Sequence, residues 1–326
     1  MAVSRRGANV GELVERARAA DPRAVARLIS LVENDSPVLR EVAAALAPFA
    51  GHAQVVGLTG SPGVGKSTST SVLVGALRAG GKRVAVLAVD PSSPFSGGAL
   101  LGDRIRMQEH ATDDQVFIRS MASRGQLGGL AAAVPQALRV LDAAGCDVVL
   151  IETVGVGQAE VEIASLADTT IVLLAPGMGD GIQAAKAGIL EIADIFVVNK
   201  ADRDGADQVA RDLRYMQSLG GRHSEGGAWR PPVLKTVAAR GDGVDEVVAA
   251  IEKHRVWMLQ HGELERRRVA RAAGEIESIA MGEVRHRLAA VHGSAALDAA
   301  AKRLVAGDTD PYTAADELVR ALPPRH

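Results

Sequence analysis

Val55-Val56-Gly57-Leu58-Thr59 runs directly into Gly60-Ser61-Pro62-Gly63-Val64-Gly65-Lys66-Ser67, with Thr68 and an Ala/Val/Leu-rich stretch behind it. An apolar run, then G-x-x-x-x-G-K-[ST], then a helical stretch is the phosphate-loop pattern in its expected setting. The glycines let the backbone curl so that several N–H groups face one anion. The following helix adds its positive end. Lys66 is placed to reach the β- and γ-phosphates of a nucleotide, and the Ser67 hydroxyl to coordinate Mg²⁺. Gly60 to Thr68 are therefore the expected phosphate-binding residues.

Working outward, apolar runs recur at Val55–Thr59, Val84–Val89, Val116–Met121, Val148–Ile151, Thr170–Ala175, Ile195–Asn199 and Val233–Ala238. Most are nearly continuous in Val, Ile and Leu, as expected of parallel strands buried on both faces. Helical stretches separate many of them. The spacing predicts an α/β fold with a doubly wound, mostly parallel sheet and ligands at the carboxyl ends of its strands. Residues 8 to about 48 read as helical, with Asp21-Pro22 and Ser36-Pro37 each pairing a cap residue with proline at a first helical position. After about residue 259 no strand is evident, and Glu263–Val291, Ala295–Val305 and Tyr312–Leu322 read as helices. Three regions result: a helical N-terminal extension (1–50), the nucleotide-binding α/β domain (51–260) and a helical C-terminal docking or dimerisation arm (261–326). Within the arm, Arg266-Arg267-Arg268 sits beside Glu263, Glu265 and Glu275 and reads as a mixed-charge exposed face.

The chain has 326 residues, a net charge of −2, 47% hydrophobic residues and 2% aromatics. A sizeable core is possible, built from Ala, Val, Leu and Ile. The charge gives no electrostatic argument for nucleic acid or an anionic membrane, and no apolar stretch is long enough to span a bilayer. The one cysteine, Cys146, excludes an internal disulfide and suits a reducing, cytoplasmic setting; at the edge of an apolar run it is expected to be buried and inert. The eight histidines are scattered without zinc spacing.

A second motif selects the base. Asn199-Lys200-Ala201-Asp202 ends the sixth apolar run, as N-K-x-D does in guanine-nucleotide-binding proteins. The Asp202 carboxylate accepts from guanine N1–H and the 2-amino group, donors that adenine lacks there, and buried acceptors left unpaired reject the wrong base. Lys200 lies along the base and Asn199 ties this loop to the phosphate loop. Thr236-Val237-Ala238-Ala239 falls where such proteins place a backbone N–H on guanine O6, with Val237 in place of the usual serine. Glu152-Thr153-Val154-Gly155 stands where a D-x-x-G magnesium motif is expected. Glu152 offers a carboxylate to Mg²⁺ directly or through water, and the Gly155 N–H a sensor of the γ-phosphate. Asp90 and Asp103 are further candidates to complete the metal shell or to order the attacking water, and each also suits a helix cap.

These residues resemble a family. G-S-P-G-V-G-K-S, V-D-P-S-S-P-F-S-G-G-A-L-L-G-D-R-I-R-M from Val89 to Met107, E-T-V-G-V-G-Q and N-K-A-D together look like the MeaB/ArgK group of P-loop GTPases, over nearly the whole chain. The resemblance implies a GTP/GDP-binding, Mg²⁺-dependent GTPase that chaperones adenosylcobalamin-dependent methylmalonyl-CoA mutase. It implies gating of cofactor loading and protection of that enzyme, and a homodimer held partly by the C-terminal helices. It also implies a mobile loop at Pro176–Lys186 in which Asp180, Gln183 and Lys186 link nucleotide state to the partner. Ras-like enzymes carry Gln directly after the motif glycine; here Val156 stands there and Gln158 follows two residues later. Slow turnover without a partner is the expectation, with Lys186, Arg104, Arg106 or Arg124 as candidate sources of extra positive charge. Some relatives carry an older label as kinases of lysine/arginine/ornithine transport, which leaves phosphotransfer as an alternative. Nickel-inserting GTPases share the Glu-type motif, but they generally show His/Cys-rich metal sites.

Overall fold

The computed structural model describes residues 9–34, 36–91, 107–123, 133–153, 158–177, 190–219, 227–289 and 295–321. Seven strands form one sheet: β1 (Gln54–Thr59), β2 (Val84–Pro91), β3 (Val116–Ser123), β4 (Val148–Thr153), β5 (Thr169–Leu174), β6 (Ile195–Val198) and β7 (Val233–Lys235). Their order is β3-β2-β4-β1-β5-β6-β7 and every pairing is parallel. The central strand β1 divides β2–β4 from β5–β7, so the winding reverses there. In an open α/β sheet that reversal opens a crevice at the carboxyl ends of the strands, where β1 hands over to the phosphate loop.

Helices cover both faces. On one, α4 (Lys66–Ala79) and α8 (Val244–Gln260) pack Leu73, Val74, Val247 and Ile251 on Val56, Leu58, Val148, Leu150 and Val197. On the other, α5 (Val134–Ala143) and α6 (Gln158–Leu166) cover Val55, Leu87, Val149 and Ile151. Gly57 in β1 makes the α6 contact possible: a Cβ there would stand 2.9 Å from Ile163 Cγ1. Over β6, α7 (Ala206–Leu219) sets Ala210 and Leu213 against Phe196. Strands buried from both sides have no polar face, and this is why they appear in the sequence as continuous apolar runs.

Three helices precede the sheet: α1 (Val10–Arg18), α2 (Pro22–Glu33) and α3 (Leu39–Leu46). Leu28, Ile29, Val42 and Leu46 join the same apolar cluster as β4 and α5. Asp21 caps α2 by accepting from the N–H groups of Arg23 (2.9 Å) and Ala24 (3.4 Å), with Pro22 at the first helical position. The matching expectation for Ser36-Pro37 is not met. Leu39 N–H donates to the Ser36 carbonyl at 2.9 Å, so Pro37 fills the second position of a tight turn and α3 starts two residues later. The last strand is also shorter than its apolar run. Val237 pairs instead with Asp242 across a short return, and Ala238–Arg240 wind into a 3₁₀ turn.

The chain forms two compact units, residues 1–271 and 272–326. Helix α9 (Glu263–Ala289) contributes its start to the first. In the second, α10 (Ala295–Ala306) and α11 (Pro311–Arg320) are joined by Arg303 and Glu317 at 2.8 Å. Asp310 caps α11 by accepting from Tyr312 and Thr313 N–H. Ile276, Val305, Tyr312 and Val319 are exposed in this unit. No described helix is long and apolar enough to cross a membrane.

The base of the sheet corrects the reading of the arginine run. Arg266 is exposed and pairs with Glu263, but Arg267 and Arg268 turn inward. Arg267 grips Asp194 through two bonds of 2.8 and 2.9 Å and also bonds Glu263. Arg268 and Arg271 converge on Asp168, which is fully buried. Each aspartate also accepts a backbone N–H from the neighbouring strand: Asp168 from Val55 at 3.0 Å, Asp194 from Thr170 at 2.8 Å. A buried carboxylate needs such partners, and three arginines supply them. The Arg266 and Arg267 guanidiniums hold the Glu263 carboxyl at a pKa of about 2. Bonds to Asp194 and Glu263 outweigh burial and push Arg267 up. Beside them His254 is fully buried with Nδ1 2.9 Å from Thr169 Oγ1, and burial pushes its pKa down. Cys146 is buried and its thiol is pushed up to about 12 by desolvation, an inert group.

Candidate functional site

The turn from β1 into α4 is built on positive-φ glycines. Gly60 has φ +142° and Gly65 φ +97°. A Cβ on Gly60 would fall 2.2 Å from the Leu173 carbonyl oxygen, and one on Gly65 would fall 2.5 Å from Asn199 Nδ2. Both conformation and space therefore demand glycine. Gly65 is the residue before α4 and no side chain caps the helix, so the amides of its first turn are directed towards the curled loop. Ser61, Pro62 and Gly63 form the outer part of the curl and Val64 tucks into the core. Thr68 lies exposed in the first turn of α4.

Lys66 is buried, with Nζ donating to the carbonyls of Gly60 (2.7 Å) and Ser61 (3.1 Å). The ammonium is thus folded across the mouth of its own loop. Ser67 donates its hydroxyl to Glu152 Oε1 at 2.6 Å. Glu152 is the next-to-last residue of β4, in register with Leu58 of the strand that feeds the loop, and is buried. A serine hydroxyl against a buried carboxylate is a hard-oxygen donor pair of the kind Mg²⁺ takes.

Asn199 joins three loops. Its Nδ2 donates to the Val64 carbonyl at 2.8 Å, and its Oδ1 accepts from Thr236 Oγ1 and from Ala238 N–H, both at 3.1 Å. The expected tie to the phosphate loop is present. The Ala238 N–H, expected on guanine O6, is engaged with Asn199 in this structure and helps fasten the β7 turn to the β6 loop. Val237 is part-buried and Ala239 exposed in that turn. Lys200 takes a left-handed conformation, φ +56°, and stretches over the phosphate loop to the Gly63 carbonyl at 2.7 Å. Asp202 is exposed, with Arg240 Nη1 3.9 Å from its carboxylate.

Sequence motifs thus meet at the carboxyl edge of β1, β4 and β6, Val64 and Asn199 being 135 residues apart. Asp90 is the next-to-last residue of β2 at the same edge, its side chain outside the described residues, as is that of Gln158 at the start of α6. Asp103, Gly155, Asp180, Gln183 and Lys186 lie outside the described residues, as do Arg104, Arg106 and Arg124.

An all-parallel sheet whose central strand enters a glycine-built loop, with lysine and serine opening the next helix, defines a P-loop nucleotide-binding protein. Residues 25–292 match the family described as methylmalonyl-CoA mutase-associated GTPase MeaB, and the chain belongs to that family. It is 47% identical over 313 residues to a protein of Pyrococcus abyssi named as a GTPase, covering 96% of this chain and 97% of that one. It is 36% identical over 274 residues to the mouse mitochondrial methylmalonic aciduria type A homolog, covering 83% and 66%. A crystal structure described as LAO/AO transport system kinase superposes with a TM-score of 0.70 at 28% identity, covering 98% of this chain and 99% of that one.

Proposed function

We propose that this protein binds GTP with Mg²⁺, hydrolyses it slowly alone, and uses the cycle to gate cobalamin loading and protection of methylmalonyl-CoA mutase. The observation that carries the nucleotide reading is the Asn199 side chain, which locks the base loop to the phosphate loop at 2.8 Å. Family membership supports the mutase as client. The exposed apolar residues of the C-terminal unit, Val305 and Tyr312 among them, support the arm as the surface that holds a homodimer. The N–H groups of Gly63 to Ser67 cradle the phosphates, and Lys66 exchanges its loop carbonyls for β- and γ-phosphate oxygens. Ser67 and Glu152 would hold Mg²⁺, with Asp90 or Asp103 as the candidate to complete its shell. When bound, the ion neutralises charge on the β- and γ-phosphates. A water then attacks the γ-phosphorus in line, the bond to the β,γ-bridging oxygen breaks, and the water's proton leaves with phosphate. Gly155 is proposed to sense the γ-phosphate and Gln158 to order that water, while Asp180, Gln183 and Lys186 link nucleotide state to the client.

Adding the apo-mutase should raise GTP turnover, with free phosphate as product. Equal rates with and without mutase would remove the chaperone reading. The solved relative named as a transport kinase favours phosphotransfer as a second reading; label from γ-phosphate appearing on protein would support it.

Base choice has its own test. Asp202→Asn replaces an acceptor-only group with an amide whose donor suits the xanthine 2-carbonyl. Competition binding should shift preference from GTP towards XTP by about 100-fold. An unchanged ratio would place guanine recognition elsewhere.

A further inference from the structure

Two hydroxyls at the edge of the crevice do nothing in the scheme above. Thr59 is the last residue of β1 and Thr153 the last of β4. Leu58 and Glu152 are register partners, so the two threonines occupy the next rung of the same ladder. Both are fully buried, and among the described residues neither Oγ1 has a hydrogen-bond partner. Strand alternation places them on the face opposite Glu152, in line with Val55, Val149 and Ile151, all apolar. Valine would fill either position with the same volume. A buried hydroxyl without a partner costs about 1–3 kcal/mol, and groups of this kind mark functional positions or water sites.

Their neighbours indicate which function. The Gly60 carbonyl that holds Lys66 Nζ at 2.7 Å directly follows Thr59. Glu152, which holds the Ser67 hydroxyl at 2.6 Å, directly precedes Thr153. Each unused hydroxyl is one residue from a group that faces the phosphates or the metal. Two hydroxyls, each able to donate and accept, suffice with one further contact to fix a water. We propose that Thr59 and Thr153 hold an ordered water at the junction of β1 and β4, and that this water positions the attacking water of GTP hydrolysis. Thr153 is thus a positioning residue. The proposal rests on the GTP-hydrolysis reading and adds residues to it.

The test is steady-state GTP hydrolysis by the full chain with Mg²⁺ and mutase, beside calorimetric GTP affinity and urea unfolding. Thr153→Val should lower kcat about tenfold or more while KM and affinity stay within about twofold. Urea unfolding should remain cooperative, which shows that the variant is folded. Thr153→Ser, which restores the hydroxyl, should bring kcat back to near the wild-type value. Thr59→Val should act in the same direction and serves if Thr153→Val does not fold. Wild-type kcat in either valine variant overturns the proposal and leaves the GTPase reading standing. Absence of GTP turnover in the wild type would instead sink the reading beneath it.

Discussion

Lys66→Ala should bind GTP at least about 100-fold more weakly than the wild type, because charge-assisted hydrogen bonds to phosphate are the strong ones and each is worth about 1.5–3 kcal/mol. Two effects add. The ammonium that would neutralise the β- and γ-phosphates is lost. The loop also loses the bonds that Lys66 makes to the Gly60 and Ser61 carbonyls, so its amides are less well arranged for an anion. Isothermal titration calorimetry with Mg·GTP gives the affinity. The variant should stay folded, since the phosphate loop sits at the edge of the sheet and the apolar clusters on both faces are untouched. Unchanged affinity in a folded Lys66→Ala protein would refute the phosphate-loop assignment and, with it, the lysine's place in the mechanism.

Asp168→Ala should cost about 3 kcal/mol of stability, within the range for breaking a buried ion pair by removing one partner. The substitution leaves Val55 N–H without its acceptor at the start of the central strand. It also strips the carboxylate from Arg268 and Arg271, which are held in place partly by backbone carbonyls and cannot both swing to water. Urea unfolding followed by tryptophan fluorescence reads the effect cleanly. Both tryptophans, Trp229 and Trp257, lie in the first unit with ring centroids 5.8 Å apart. Their indoles neighbour this cluster through His254, 4.7 Å from Trp229. A loss below about 1 kcal/mol, the scale of an exposed pair, would show that the charges are solvated and the clamp contributes little.

The clamp also shows where sequence reading stopped. Arg266-Arg267-Arg268 beside three glutamates has the composition of a solvated helix face, and only Arg266 behaves so. The carboxylates that the other two meet lie about 70 and 100 positions earlier. One signal was present: Ala167-Asp168 and Ala193-Asp194 stand directly before β5 and β6, and Asp147 before β4. Each accepts an N–H from the adjacent strand or its lead-in, Asp147 from Arg83 at 2.7 Å. Asp147 is exposed, whereas Asp168 and Asp194 are buried and need charged partners besides that N–H. Thr59 and Thr153 were invisible for a different reason, because threonine is a common strand residue and only burial without a partner singles it out.

By itself the amino-acid order determined the seven strands, the phosphate loop and the base loop. These depend on local chemistry: apolar runs for strands buried on two faces, glycines where φ is positive, and lysine and serine at a helix start. The tertiary structure alone decided the strand order, the meeting of Ser67 with Glu152, the three-way tie at Asn199 and the arginine clamp. Those contacts join residues tens to more than a hundred positions apart, and chain crossovers bring them together without leaving any periodicity in the sequence.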